Sequence, residues 1–192
     1  MRARSHVRFS PTVILLVLAV ASLLLAGCRH RVDGFVIPKS EPKRYNIEVV
    51  LANNLQNRSV VVDLVPVNAA NLERWRTYSM TQYWQREDPM RANADKATFS
   101  FVKSASQQTL KQSDDAKWSN WMKTGAQYVL VLADLPGSHA DMPGNQDARR
   151  QILPLDINYW LDKPIVLHIK VQESGVLVTT PTRPGMPRPI GW

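Results

Sequence analysis

The residue of this chain with the most distinctive reactivity is Cys28, the only cysteine among 192 residues. A single thiol cannot form an internal disulfide, and it excludes metal sites built on paired cysteines. It follows Leu25, Ala26 and Gly27 directly. The small side chains of Ala26 and Gly27 leave the preceding peptide bond open to a peptidase, and the thiol is the only group there that can be alkylated. This position therefore favours covalent modification of Cys28.

The residues before Cys28 have the composition of an export signal. Arg2, Arg4 and Arg8 make the N-terminal region positive without any acidic residue, and residues 13–25 form a near-continuous apolar run. Such a run is shorter than the ~20 residues of a membrane-spanning helix, but it fits the apolar core of a signal peptide. An ordinary secretory signal, or an uncleaved helix with a chance cysteine, is the alternative.

The sequence Leu25-Ala26-Gly27-Cys28 resembles the lipobox of bacterial lipoproteins. The resemblance implies that residues 1–27 are removed and that Cys28 carries a diacylglycerol thioether and an N-terminal acyl chain such as palmitate. Two or three chains would hold the protein on a membrane, whereas a single chain binds only reversibly. Residue 29 is Arg rather than Asp. By resemblance to enterobacterial sorting rules, this favours the outer membrane, on its periplasmic face.

The charge of the chain gives little support to nucleic-acid binding. The formal net charge is +8, from 24 basic and 16 acidic residues. Removing residues 1–27 takes away three arginines, so 21 basic residues against 16 acidic ones leave +5. This excess is spread along the chain without any run of five or more like charges, unlike the clustered basic patches that bind nucleic acid.

The sequence contains no pattern that indicates catalysis, a cofactor or a metal. The nucleophile elbow G-x-S-x-G, the zinc motif H-E-x-x-H and the phosphate-binding glycine motifs are all absent. Asp134, Asp141 and Asp147 border one loop, where calcium binding is the alternative to plain solvation. The histidines after Cys28 are widely separated in the sequence: His30, His139 and His168. We therefore expect a protein that is not an enzyme and that holds neither cofactor nor metal.

The rest of the chain divides into a tether, a folded domain and a tail. Residues 28–44 contain two prolines and no sustained period, which is typical of a flexible tether. Residues 45–180 have the alternating apolar and polar segments of a folded domain, and residues 181–192 form a Pro-rich tail. Strand patterns cover residues 45–51, 59–67, 97–102, 127–133, 149–155, 165–171 and 176–180, and helical patterns cover residues 68–86 and 113–123. This order predicts a mainly β fold, an antiparallel β-sandwich with two inserted helices.

The tryptophans of the two helices allow two interpretations. They lie at helical spacing beside other apolar residues, which is typical of helices that pack on a sheet. If they were exposed instead, they would form a platform for sugars, and the protein would be a glycan- or peptidoglycan-binding lipoprotein. The residues concerned are Trp75, Trp84, Trp118 and Trp121.

The order of these segments resembles the outer-membrane lipoproteins of type VI secretion, the TssJ/SciN family. The resemblance runs over residues 45–180. It is carried by the strand-turn-strand of residues 51–65, an aromatic-rich helix, the strand segment of residues 125–134, the Leu153-Pro154-Leu155 strand end and the final hairpin. It implies a transthyretin-like sandwich that acts as a non-catalytic scaffold. It also implies a partner, the periplasmic domain of a large inner-membrane secretion component.

In that family the loop between the first two strands contacts the partner. The matching residues here form a polar loop with one apolar residue and one cation: Asn53, Asn54, Leu55, Gln56, Asn57 and Arg58. A plain hairpin turn is the alternative, since Asn tolerates left-handed conformations wherever a turn is needed.

Overall fold

The computed structural model describes residues 40–102 and 105–186. The lipidation site Cys28, residues 29–39 of the predicted tether and residues 187–192 of the predicted tail lie outside the described residues. In the described part, eight strands form two four-stranded sheets: β1 (Asn46–Leu51), β2 (Val60–Val67), β3 (Ala97–Phe101), β4 (Gln107–Leu110), β5 (Tyr128–Asp134), β6 (Arg150–Pro154), β7 (Val166–Gln172) and β8 (Gly175–Val178).

The two sheets pack as a sandwich, which confirms the mainly β fold class. The first sheet has the order β4-β1-β7-β8 and the second the order β3-β2-β5-β6. Neighbouring strands run antiparallel except for β1 and β7, which pair in parallel from Asn46 opposite Val166 to Leu51 opposite Val171. The first sheet is therefore mixed, whereas the sequence predicted only antiparallel pairing.

Alternation along the strands explains the position of the core. Ile47 and Val49 of β1 are fully buried between the sheets, because residues at every second position point to the same face. The strand β5 is apolar throughout because both of its faces are covered. Val129 and Val131 face the other sheet, while Leu130 belongs to a second cluster on the outer face.

Three helices cover that outer face of the second sheet. Four helices occur in the described part of the chain: α1 (Ala69–Thr77), α2 (Met80–Tyr83), α3 (Pro89–Ala92) and α4 (Asp115–Lys123). The helices α1 to α3 contribute Leu72, Trp75, Met80, Tyr83 and Met90 to the second cluster. The short helices α2 and α3 are additional to the two predicted ones.

The single helix predicted over residues 68–86 is broken at Tyr78. Asn68 caps α1 as expected, because its side chain accepts a hydrogen bond from Asn71 N at 3.0 Å. Tyr78 has an extended backbone, and Ser79 then caps α2 by accepting from Gln82 N at 3.0 Å. Two caps within one apolar stripe thus produce two helices.

The chain enters β1 at one end of the sandwich and leaves it at the other. Asn46 N at the start of β1 donates to Ile165 O at 3.0 Å, and residues 40–44 precede it at the same end. We call this the tether end. At its other end β1 leads into residues 52–59, and we call that the loop end. Among the described residues, no helix has the length and apolarity needed to cross a bilayer.

Candidate functional site

The predicted partner loop, residues 53–58, begins with a short 3-10 turn at Asn53–Leu55. Leu55 is 0% exposed and belongs to the core between the sheets. Its side chain therefore does not reach the surface in this structure, and only the polar members of the loop face solvent. Asn53, Asn54, Asn57 and Arg58 are exposed, and Gln56 is half-buried.

The polar side chains of the loop bind the turn between β7 and β8. Asn54 Nδ2 donates to Glu173 Oε2 at 3.3 Å, and Arg58 Nη2 lies 3.2 Å from Glu173 Oε1. Gln56 Nε2 donates to Asn53 Oδ1 at 3.0 Å within the loop. The loop is thus attached to a neighbouring turn at its own end of the sandwich.

The same turn contacts a long loop of the second sheet, residues 135–149. Val176 N donates to Ala148 O at 2.8 Å. Gly175 has φ +147°, and a Cβ atom there would lie 2.9 Å from Ala148 O, so no other residue fits without a shift. Residues 53–58, 173–175 and 135–149 therefore form one surface, which we call the loop-end surface.

Arg150 holds the long loop against α1. The residue is 0% exposed. Its guanidinium donates to the carbonyl oxygens of Gly144 at 3.0 Å, Trp75 at 2.9 Å and Tyr78 at 2.8 Å, and also to that of Met142. Burial lowers the pKa of Arg150 to about 10, so the group is still charged at neutral pH. Its guanidinium satisfies four backbone carbonyl oxygens, of which Gly144 O also accepts from Asp147 N at 3.4 Å.

Arg149 lies between Asp141 and Asp147, two of the three aspartates that the sequence allowed as a calcium site. Its Nε and Nη2 atoms each lie 3.0 Å from the Asp147 carboxylate, and Nη2 lies 2.6 Å from Asp141 Oδ1. Asp134 is exposed at the end of β5. Within residues 40–102 and 105–186, no group of three His, Cys, Asp or Glu side chains is placed to hold a metal.

Asp141 should make the stability of this loop depend on pH. Burial raises the pKa of Asp141, but hydrogen bonds from Ser79, Thr81 and Arg149 lower it by more than burial raises it. The resulting pKa lies well below the ordinary 3.8. A depressed carboxylate contributes stability above its ordinary pKa, and that contribution is lost as the pH falls through the folded pKa. We therefore expect Asp141→Asn to be less stable than the parent at pH 7, by a difference that shrinks below pH ~4.

Urea unfolding at pH 7, 5 and 3 measures this effect. The side chain of Asp141 is 39% exposed, so solvent screening keeps the difference modest. A difference in the free energy of unfolding that is the same at all three pH values would contradict the assignment.

Four of the five described tryptophans are core residues. Trp118 and Trp121 are 0% exposed, Trp160 is 1% and Trp75 is 9% exposed. Trp84 is half-buried, and the Arg91 guanidinium covers its ring at 4.4 Å from the centroid. The interpretation as packing residues is thus confirmed, and the sugar platform built on exposed Trp75, Trp84, Trp118 and Trp121 is wrong.

Asp63 is a buried charge that we did not single out from the sequence. It is 0% exposed in the middle of β2. Its carboxylate accepts from Tyr83 Oη at 3.0 Å, Arg91 Nε at 2.9 Å and Thr98 Oγ1 at 2.6 Å. It therefore joins β2 to α2, α3 and β3. A lone Asp within the apolar run of residues 60–67 was the signal that could have identified it.

Residues 40–44 lie against the domain at the tether end. Lys43 N donates to Leu155 O at 2.9 Å, and Arg44 Nη1 lies 2.6 Å from Asp115 Oδ1. Ser40 Oγ donates to the Asp156 carboxylate. The beginning of the predicted tail is also placed, since Leu161 N donates to Pro181 O at 3.0 Å. The last residues of the predicted tether are thus part of the sandwich surface.

No protein-family model and no curated protein matches the chain. Its fold is similar to solved structures from type VI secretion systems. One is Lip of Serratia marcescens, a membrane-bound component of that system, with 13% identity over 73% of this chain and 100% of that chain and a TM-score of 0.46. The lipoprotein TssJ1 of Pseudomonas aeruginosa has 10% identity over 76% of this chain and 99% of that chain, with a TM-score of 0.41. A chain of a type VI membrane complex has 13% identity over 71% of this chain and 98% of that chain, with a TM-score of 0.47.

Proposed function

We propose that this chain is a lipid-anchored, non-catalytic scaffold of a type VI secretion membrane complex, of the TssJ/SciN kind. Acyl chains on Cys28 hold it at the periplasmic face of the outer membrane. Its sandwich binds the periplasmic domain of a large inner-membrane component and so tethers that component to the outer membrane. The lipobox resemblance of residues 25–28 and the order of the strands support this proposal.

The observation that carries the proposal is the opposite placement of the tether and the loop-end surface. The chain arrives from residue 40 at one end of the sandwich, and β1 carries it over six residues to the other end. At ~3.3 Å per residue this is ~20 Å. The attachment of the tether and residues 53–58 are thus at opposite ends of the sandwich.

The loop-end surface is suited to binding because it is already ordered. Glu173 contacts the loop of residues 53–58 through exposed groups, and Arg149 and Arg150 hold the loop of residues 135–149 through buried ones. A surface that needs no ordering on binding loses less conformational entropy when a partner arrives. A modest polar contact can then be effective, because confinement to the membrane raises the local concentration of the partner.

The tether has enough length for this arrangement. The ~11 residues between Cys28 and Ser40 span at most ~40 Å when fully extended. Within that reach, the sandwich can move relative to its anchor while remaining close to the membrane. In the proposed function, the binding surface therefore stays within a limited distance of the lipid anchor.

Loop variants test the partner contact. We expect the double variant Asn57→Ala/Arg58→Ala to weaken binding of the inner-membrane component's periplasmic domain by about 5- to 30-fold, the effect of losing one or two polar contacts of ~1 kcal/mol each. Both side chains are exposed, so the fold should be retained. Leu55 is left unchanged because its burial would confuse binding with folding.

Binding is measured with the purified periplasmic domain by titration. The matched control is Lys123→Ala, which removes an exposed cation from α4, the helix that Arg44 contacts at the tether end. Equal affinities of the loop variant and the control would remove residues 53–58 from the interface.

A further inference from the structure

The tether end carries a loop with two exposed apolar side chains. Among the described residues, five large hydrophobic side chains are exposed: Val102, Met142, Leu161, Ile165 and Leu177. Two of them share one five-residue segment, in which Leu161 is 38% and Ile165 is 66% exposed. We call residues 161–165 the tether-end loop. Ile165 is the most exposed of the five, so most of its apolar side chain is in contact with water.

The tether-end loop lies beside the point where the chain enters the domain. Asn46 N, at the start of β1, donates to Ile165 O at 3.0 Å. The parallel pairing of β1 and β7 aligns their first residues, Asn46 and Val166. The chain that leads back to Cys28 therefore leaves the sandwich next to Ile165, and an anchor on Cys28 would bring this end to the membrane.

The loop is held in a conformation that projects its side chains outward. Asp162 and Lys163 have φ of +55° and +47°, which is uncommon for residues other than glycine. The preceding Trp160 is 1% exposed, and its Nε1 donates to Pro154 O at 3.0 Å. Leu161 N is bonded to Pro181 O at 3.0 Å. Hydrogen bonds at Trp160 and Leu161 before the tip, and at Ile165 after it, thus fix a turn whose tip is solvent-exposed.

We propose that the tether-end loop lies in the interface of the phospholipid bilayer that holds the anchor. Leu161 and Ile165 enter the boundary between headgroups and acyl chains, and the exposed ammonium of Lys163 lies among the phosphates. The exposed Asp162 beside Lys163 leaves the loop without net charge, so the contact depends on the two apolar side chains, while the lysine stem lets its ammonium reach the headgroups. This inference rests on the proposed lipid anchor and adds an orientation to it.

Two observations favour a bilayer over a protein as the occupant. The ~11 residues between Cys28 and Ser40 limit the distance between anchor and domain to ~40 Å, so the tether end stays near the lipid surface. The loop also lies at the opposite end from the loop-end surface. Contact of the loop with the membrane would direct residues 53–58 toward the periplasm, which a flexible tether alone would not do.

A fluorescent label at Ile165 tests the contact. The full-length acylated protein with Ile165→Cys is reconstituted into vesicles of phosphatidylethanolamine and phosphatidylglycerol and labelled with an environment-sensitive dye. An acylated Cys28 leaves the introduced cysteine as the only free thiol, since the chain has no other cysteine. The parent protein treated in the same way should take up no dye.

The matched control is Val102→Cys, which is 57% exposed and follows β3 at the loop end. We expect lipids with spin-labelled acyl chains to quench the dye at position 165 at least twofold more than the dye at position 102, with blue-shifted emission only at position 165. Equal quenching at the two positions would overturn the proposal.

Vesicle flotation, measured on the same samples, separates this inference from the anchor. Protein that floats with the vesicles but is unquenched at position 165 retains the anchor and refutes the loop contact. Protein that does not float refutes both, because the loop contact depends on the anchor.

Discussion

Arg150→Met is expected to lower the free energy of unfolding by about 3–5 kcal/mol, because it removes a charged donor that several buried carbonyl oxygens share. Methionine fills a similar volume but donates no hydrogen bond. Gly144 O would keep its hydrogen bond from Asp147 N, but the carbonyl oxygens of Trp75, Tyr78 and Met142 would lose the guanidinium donor. Each buried unsatisfied acceptor costs roughly 1–3 kcal/mol when it cannot rearrange. Water that reaches part of the loop would satisfy some of these oxygens, which keeps the total loss within about 3–5 kcal/mol.

Urea unfolding followed by tryptophan fluorescence measures this loss. Arg150→Lys should lie between the parent and the methionine variant, since a lysine ammonium cannot match the planar fork of donors. Arg74→Met is the matched control, because Arg74 is exposed on α1 and should change stability by less than about 0.5 kcal/mol. A loss below about 1 kcal/mol for Arg150→Met would show that the carbonyls find other donors.

The same variant connects stability to the loop-end surface. Arg150 joins residues 142 and 144 of the long loop to the last turn of α1. When this link is removed, the loop of residues 135–149 should open before the sandwich unfolds, because local opening follows the loss of local contacts. Weaker binding of the partner to a variant that is still folded would then be expected under the proposed function.

Cys28→Ser is expected to release the protein from the membrane completely. The hydroxyl of serine cannot form the thioether, so neither the diacylglycerol nor the subsequent N-terminal acyl chain would be added. Each acyl methylene contributes about 0.8 kcal/mol to membrane binding, and stable attachment requires more than one chain. The exposed apolar residues Leu161 and Ile165 are too few to replace these chains.

Membrane fractionation with labelled fatty acid measures the release. The matched control is Arg29→Lys, which keeps the charge after the lipidation site and should leave the protein in the outer-membrane fraction. Incorporation of labelled acyl chains into the Cys28→Ser protein, or its retention on washed membranes, would exclude Cys28 as the anchor.

The elements that followed from the sequence are those whose signal is local. The patterns of residues 45–51 and 97–102, the apolar run of residues 127–133 and the final hairpin all led to strands that the structure contains. Pro66 lies one residue before the end of β2, and β3 stops pairing at Leu64 before reaching it, since proline has no N–H to donate to a ladder. These signals depend on which face of one strand is buried, which a short segment determines by itself.

Elements with a polar composition or a distant partner were missed. The strand β4 reads Gln107-Gln108-Thr109-Leu110, and only Leu110 is buried. As an edge strand it takes its position from β1, so its own residues carry almost no pattern. The parallel pairing of β1 with β7 joins segments more than a hundred residues apart, and no local spacing indicates the direction of such a pair.

The candidate sites divide in the same way. The sequence alone determined the unique thiol at Cys28, the polar character of residues 53–58 and the mainly β class, because these depend on composition and short-range order. Only the tertiary structure decided that Leu55 is core, that Arg150 is buried and that Ile165 is exposed beside the start of β1. The reason is physical. Burial and hydrogen bonding are properties of the neighbours that a residue meets, and those neighbours are brought together only when the two sheets close.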